Sequence, residues 1–178
     1  MITARGVIKD IEETRKKVEQ LGAEFKNYYC YTDIVFVPKS GKIDLSREFI
    51  RLRVYTVNNW PTKNIVLIHK VTEWLPHGKV DDIILRKEFD NAEEAFDFIR
   101  KRFGDFLIKG FEYFREGWEY HLNGMRIFIE DIKGFKPTVE VEALSEEALD
   151  EMLEKIGIIE RLSESVPEIM RKVLCARM

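Results

Sequence analysis

Between Glu48 and Val57 the chain alternates strictly: Phe49, Arg51, Arg53 and Tyr55 take every second position, and Ile50, Leu52 and Val54 fill the gaps. A β-strand turns successive side chains to opposite faces, so the arginines share one face and the aliphatics the other. The same division recurs along the chain. Lys70 shares a face with Ile68, Arg86 with Glu88, and Arg126 and Glu130 alternate with Ile127 and Ile129; Glu140 and Glu142 flank Val141. The aliphatic face must meet a core. The ionic face has two fates: it is solvated, as in an ordinary one-sided sheet, or, if helices cover the outside of a closed sheet, it lines a wet interior cavity. The basic members come first and the acidic pair last, an order suited to holding a polyanion at one wall and a divalent cation at the other.

Residues 2–8 read as a strand, and Asp10 with Glu13 three places later forms a capping box for a helix running to about Leu21, closed by Gly22. From Tyr28 the period changes to two, and 33–37 runs as a strand to a break at Pro38-Lys39-Ser40-Gly41. Strands at 48–57, 64–72 and about 80–90 complete a meander, with turns at Asn58-Asn59-Trp60-Pro61 and around Trp74-Leu75-Pro76-His77-Gly78. A helix over 92–103 ends at Gly104. Strands follow at about 106–121, 124–133 and 137–144, the first two joined by the hairpin pair Asn123-Gly124. Two helices finish the chain, from Ser145 to about Lys155 and from the Ser165-Val166-Pro167-Glu168 capping box onward. Seven or eight mainly antiparallel strands with few helices point to an α+β fold, a single domain over 1–178, whose sheet is closed or nearly closed into a barrel with helices packed outside. Closure also removes exposed strand edges.

The composition narrows the function. No apolar run is long enough to span a bilayer, and residues 1–20 do not read as a secretory signal, which leads to a cytoplasmic location. The net charge of -3 disfavours nucleic acid as a partner. Cys30 and Cys175 are too few and too distant for a disulfide framework, and both are read as small buried residues. His69, His77 and His121 lack metal-ligand spacing and are assigned structural or surface roles. Charged residues make up 34% of the chain and Gln20 is its only glutamine, a composition typical of proteins from hot environments. A homodimer is the expected assembly on general grounds.

Taken together, Arg51-Leu52-Arg53, Lys70, Arg86-Lys87-Glu88, Arg115, Glu130 and Glu140-Val141-Glu142 resemble in order, strand context and spacing the pattern of the CYTH superfamily, the triphosphate tunnel metalloenzymes, which includes class IV adenylate cyclases and thiamine triphosphatases. The resemblance runs from about Tyr31 to Ala143. Two positions depart from it: where the family opens Glu-x-Glu-x-Lys this chain has Met1-x-Thr3-x-Arg5, and Tyr113 stands where a second basic residue precedes Arg115. Glu130 takes the place of the family's aspartate.

The resemblance implies a closed polar tunnel. In it Arg5, Arg51, Arg53, Lys70, Arg86 and Arg115 would surround a triphosphate, Glu130, Glu140 and Glu142 would hold Mg²⁺ or Mn²⁺, and Glu88 would support an arginine or act as a ligand. Glu140, Glu142 and Lys70 would carry catalysis. The activity so implied is metal-dependent hydrolysis of a small triphosphate, inorganic or organic. Losing the two opening glutamates would weaken a second cation site, which keeps open a triphosphate- or nucleotide-binding protein with little or no catalysis, and a class IV-type cyclase using the same cavity is a third reading.

Overall fold

The computed structural model describes residues 1–39 and 42–175. Its elements run β1 (Ile2–Val7), α1 (Ile11–Gln20), β2 (Glu24–Pro38), β3 (Glu48–Val57), β4 (Ile65–Trp74), β5 (Lys79–Phe89), α2 (Ala92–Phe103), a 3₁₀ turn (Gly104–Phe106), β6 (Leu107–Leu122), β7 (Met125–Ile132), β8 (Thr138–Ala143), α3 (Glu146–Ile156), β9 (Glu160–Arg161) and α4 (Val166–Cys175). The expected order holds, with a two-residue β9 and a 3₁₀ turn added. The second strand begins four residues before Tyr28, because its partner β6 pairs with it from Glu24 to Pro38. Ser40 and Gly41 of the expected break lie outside the described residues.

Every pairing is antiparallel, in the order β5-β4-β3-β2-β6-β7-β8-β1-β9, and β1 also pairs with β5 through Thr3 and Lys79. Eight strands therefore form a ring, uneven in that this closing seam is a single residue pair. The β6–β7 hairpin turns on Asn123 and Gly124, both at positive φ (50° and 79°), the conformation that favours an Asn-Gly pair. Asp10, Asn91 and Ser145 cap α1, α2 and α3 by accepting from the amide three residues on.

The two strand faces separate as the alternation requires. On the outside, Ile127, Ile129, Val139 and Val141 pack with Val18 of α1 and Leu149, Met152 and Leu153 of α3. Leu52 and Leu67 pack with Ala95 and Ile99 of α2. Helix α4 behaves differently: its Val166 and Met170 meet Val35, Phe49 and Tyr113, which belong to the inner face, so α4 covers one end of the ring. Cys30 is buried as expected, whereas Cys175 is exposed, because the last turn of α4 projects beyond that contact. Among the described residues no helix is long and apolar enough to cross a membrane.

Candidate functional site

The inner face encloses a cavity of about 600 Å³. Arg5, Arg51, Arg53, Lys70, Arg86, Arg115, Glu130, Glu140 and Glu142 all line it, so the fold brings together the basic and acidic positions read from the strand pattern. Glu88 stands behind the lining, accepting from Arg86 at 2.8 Å and from the Lys63 amide at 3.1 Å. The cavity also takes in Arg126 and Tyr55, which the strand alternation placed on the ionic face without a role, and residues it did not select, Lys79, Asp81 and Arg161, with Tyr29, Tyr31 and Trp60 joining Tyr55 in an aromatic wall. Within that wall Tyr29 and Tyr31 stack at 5.4 Å between centroids, and Trp60 lies 4.9 Å from Tyr29.

Three ionic groups organise the lining. The first centres on Asp33, fully buried on β2 opposite Arg53 of β3. Arg53 donates to both of its oxygens at 2.8 and 2.9 Å, and Arg51 and Arg115 approach Oδ2 at 3.5 and 3.6 Å. Burial works to raise the Asp33 carboxyl, but Arg53 and Arg51 overcome it and hold the group well below the usual carboxylate range. Asp33 had a visible signal, the two-residue series Tyr29, Tyr31, Asp33 and Val35.

The second group spans the neighbouring strands β1, β8, β7 and β6. Arg5, paired with Glu140 across β1 and β8, donates from Nη1 to Glu130 Oε1 at 2.6 Å and to Thr138 Oγ1 at 2.9 Å, and from Nη2 to Glu140 Oε2 at 2.9 Å. Arg115 Nη1 adds a bond to Glu130 Oε1 at 3.2 Å, and the Tyr29 and Tyr31 hydroxyls donate to Oε2 at 2.7 and 3.4 Å. Tyr29 reaches Glu130 across Gly117, which pairs with both; a Cβ there would lie 2.4 Å from the phenol, so the missing side chain makes room for the ring. Burial would raise Glu130 and Glu140, yet each lies below the ordinary range, Glu130 through Arg115 and then Arg5, Glu140 through Arg5 and then Lys79. Glu142 is raised by burial and by neighbouring Glu140.

The third group is Asp81 of β5, which meets Lys70 at 2.7 Å and Lys79 at 3.5 Å. Burial, Lys79 and Arg51 together outweigh Asp81 and lower the Lys70 ammonium to about 8. Near the rim, Arg126 joins Glu142 at 3.2 Å and Glu119 at 3.1 Å. The histidines each sit 2.7 to 2.8 Å from a carboxylate, His69 at Glu48, His77 at Asp150 and His121 at Glu119.

Each of the three carboxylates expected to hold a cation is engaged by an arginine, Glu130 and Glu140 by Arg5 and Glu142 by Arg126. An ionised carboxylate offers about four acceptor positions, and Glu130 receives four donors from Arg5, Arg115, Tyr29 and Tyr31. Among the described residues Glu140 and Glu142 each have a hydrogen bond at Oε2 alone. Among the described residues no group of three or more His, Cys, Asp or Glu side chains is placed to hold a metal ion.

The wall itself is richer in cations. Among the described residues nine arginines and lysines line the cavity against five carboxylates, while Asp33, Glu88, Glu119 and Asp150 pair with lining arginines from outside the wall. Among the described residues Arg51 Nε and Arg115 Nε are buried with no hydrogen-bond partner, as is the Tyr113 hydroxyl, and Arg115 Nη2 has only the Asp33 carboxylate at 3.6 Å. Buried guanidinium donors are met in folded proteins by protein groups, ordered water or a bound ligand.

No family model and no curated protein matches the sequence. Solved structures do match its fold. PH1819 from Pyrococcus horikoshii OT3 superposes with a TM-score of 0.78 at 16% identity, covering 96% of this chain and 98% of that one. HpAC1 from Hippeastrum, a candidate adenylyl cyclase with a dominant triphosphatase activity, gives 0.69 at 14%, covering 97% and 96%. A candidate adenylate cyclase of Vibrio parahaemolyticus gives 0.67 at 12%, covering 94% and 95%. At these identities the likeness is one of fold.

Proposed function

We propose that the cavity binds a small triphosphate, inorganic or organic, as a polyanion held by Arg51, Arg53, Lys70, Arg86 and Arg115, with Arg5 behind them. One observation carries this reading: Arg51, Arg53, Lys70, Arg86 and Arg115, from strands β3, β4, β5 and β6, converge on one cavity whose wall holds more cations than carboxylates. Phosphate oxygens are the acceptors that guanidinium forks fit best. The surplus suits the several negative charges of an ionised triphosphate, and the aromatic wall offers apolar area to an organic appendage. The fold shared with HpAC1 is in keeping with this chemistry.

Hydrolysis is a second reading, favoured by the oxygens of Glu140 and Glu142 that stay open beside Lys70 in the same lining. Glu140, Glu142 and Lys70 are then the catalytic candidates. Cyclisation of a nucleotide has no residue of its own in support.

Calorimetry of the purified protein with tripolyphosphate, ATP and thiamine triphosphate tests the binding reading, and an Arg51→Ala, Arg53→Ala variant that retains its circular dichroism should lose the heat of binding. Absence of binding by all three ligands overturns it. Phosphate and cyclic nucleotide released with and without Mg²⁺ or Mn²⁺ test catalysis, for which a Glu140→Gln, Glu142→Gln variant is the control. Equal release by the two proteins removes the hydrolytic assignment.

A further inference from the structure

Arg5 is the one charged side chain of β1, two residues beyond Thr3 on the same face of the strand, and it points into the carboxylates of the neighbouring strands. It is 8% exposed, rises from β1 beside β8, and grips an oxygen of Glu140 on β8 and an oxygen of Glu130 on β7 beyond it with different nitrogens of one guanidinium. A planar cation between two carboxylates does there what a metal ion does elsewhere, neutralising both and fixing their separation. The rest of β1 gives no replacement donors: Thr3 is the residue opposite Glu142, and Met1 precedes it. Glu130 has no acceptor position left.

We propose that Arg5 is a built-in substitute for the divalent cation, so that this chain takes its polyanion metal-free. The ligand clause rests on the triphosphate reading above; the statement about Arg5 does not. In a lining already rich in fixed cations, a bare polyanion is attracted more strongly than its magnesium complex, which carries less negative charge. Magnesium in solution therefore competes with the protein for the ligand.

Two measurements test this. Tripolyphosphate is titrated into the protein with EDTA and again with excess Mg²⁺; the expected result is binding in EDTA and a loss of affinity with Mg²⁺. Binding that requires or is tightened by Mg²⁺ overturns the proposal. Separately, Mn²⁺ is titrated into the protein without phosphate and followed by electron paramagnetic resonance, with Arg5→Gln alongside. The native protein should leave the Mn²⁺ signal free, and Arg5→Gln, which releases Glu130 and Glu140, should quench it. Stoichiometric quenching by the native protein overturns the role of Arg5, even if the variant does not fold. Should tripolyphosphate bind under neither condition, the triphosphate reading and the ligand clause fail together, and the Mn²⁺ titration still decides whether Arg5 stands in for the ion.

Discussion

Asp33 shows at the scale of one residue how the lining is held before any ligand arrives. Three arginines converge on its carboxylate, and removing that charge leaves them facing one another in a buried site. Breaking a buried ion pair from one side costs about 3 to 5 kcal/mol, so Asp33→Asn should lower unfolding stability by roughly that amount in a denaturant titration. Because the folded carboxyl lies below its unfolded value near 3.9, its stabilisation is complete above that value and is lost as the pH falls through the folded one. Acid unfolding should therefore begin only below about pH 4. Lys70 works in the opposite range. Its ammonium titrates near 8 when folded and near 10.4 when unfolded, so its contribution to stability is absent below 8 and grows as the pH rises towards 10.4. Anion affinity should decline over that same interval as the charge is lost, and binding near pH 8 should take up a proton. Calorimetry in buffers of different ionisation enthalpy measures the uptake, which Lys70→Met should abolish. Arg51, Arg53, Lys70 and Glu140 were legible because each sits in a stretch whose own alternation assigns its face. Asp33 and Asp81 were not singled out: their importance lies in what stands across the sheet, and β2–β3 and β4–β5 register is not written in either strand alone.

Among the elements, the strands were the most legible and the seam the least. Strand β3 matches its expected bounds because alternation, charge and flanking turns agree over its whole length. Ring closure depends instead on one cross-strand pair between β1 and β5, 76 positions apart in the chain, for which no local pattern exists. Helix α4 was expected as a helix, but its burial against the inner face was not, since its apolar residues fit an outside position equally well. Its start is tied down by Ser165, whose Oγ accepts from the Glu168 amide at 3.2 Å and donates to the Leu45 carbonyl at 2.7 Å, while its amide donates to Ser46 Oγ at 3.0 Å. Ser165→Ala removes the cap and strands buried partners, a loss of about 1 to 2 kcal/mol. Amide exchange in α4 should accelerate more than in α3; unchanged protection of α4 would show that the cap does not fix this end.

For the whole molecule, a closed sheet with apolar residues outside and ionic residues inside inverts the usual placement of charge, and the helices make that tolerable by covering the apolar face. The remaining tension is the cationic surplus, which a polyanion relieves. At a ligand concentration a hundredfold above Kd, linkage adds about 2.7 kcal/mol, which for a domain of this size raises Tm by roughly 5 to 10 °C. Tripolyphosphate should produce that shift with EDTA present, and monovalent phosphate should produce much less. The central claim, that this ionic interior is a cradle for a polyphosphate, is tested most directly by a metal-free crystal structure with tripolyphosphate. The predicted result is a chain of phosphates inside the ring, with oxygens bonded to the cavity-lining Arg51, Arg53, Lys70, Arg86 and Arg115. Tripolyphosphate bound only on the outer surface, with the ring interior free of phosphate, would contradict it.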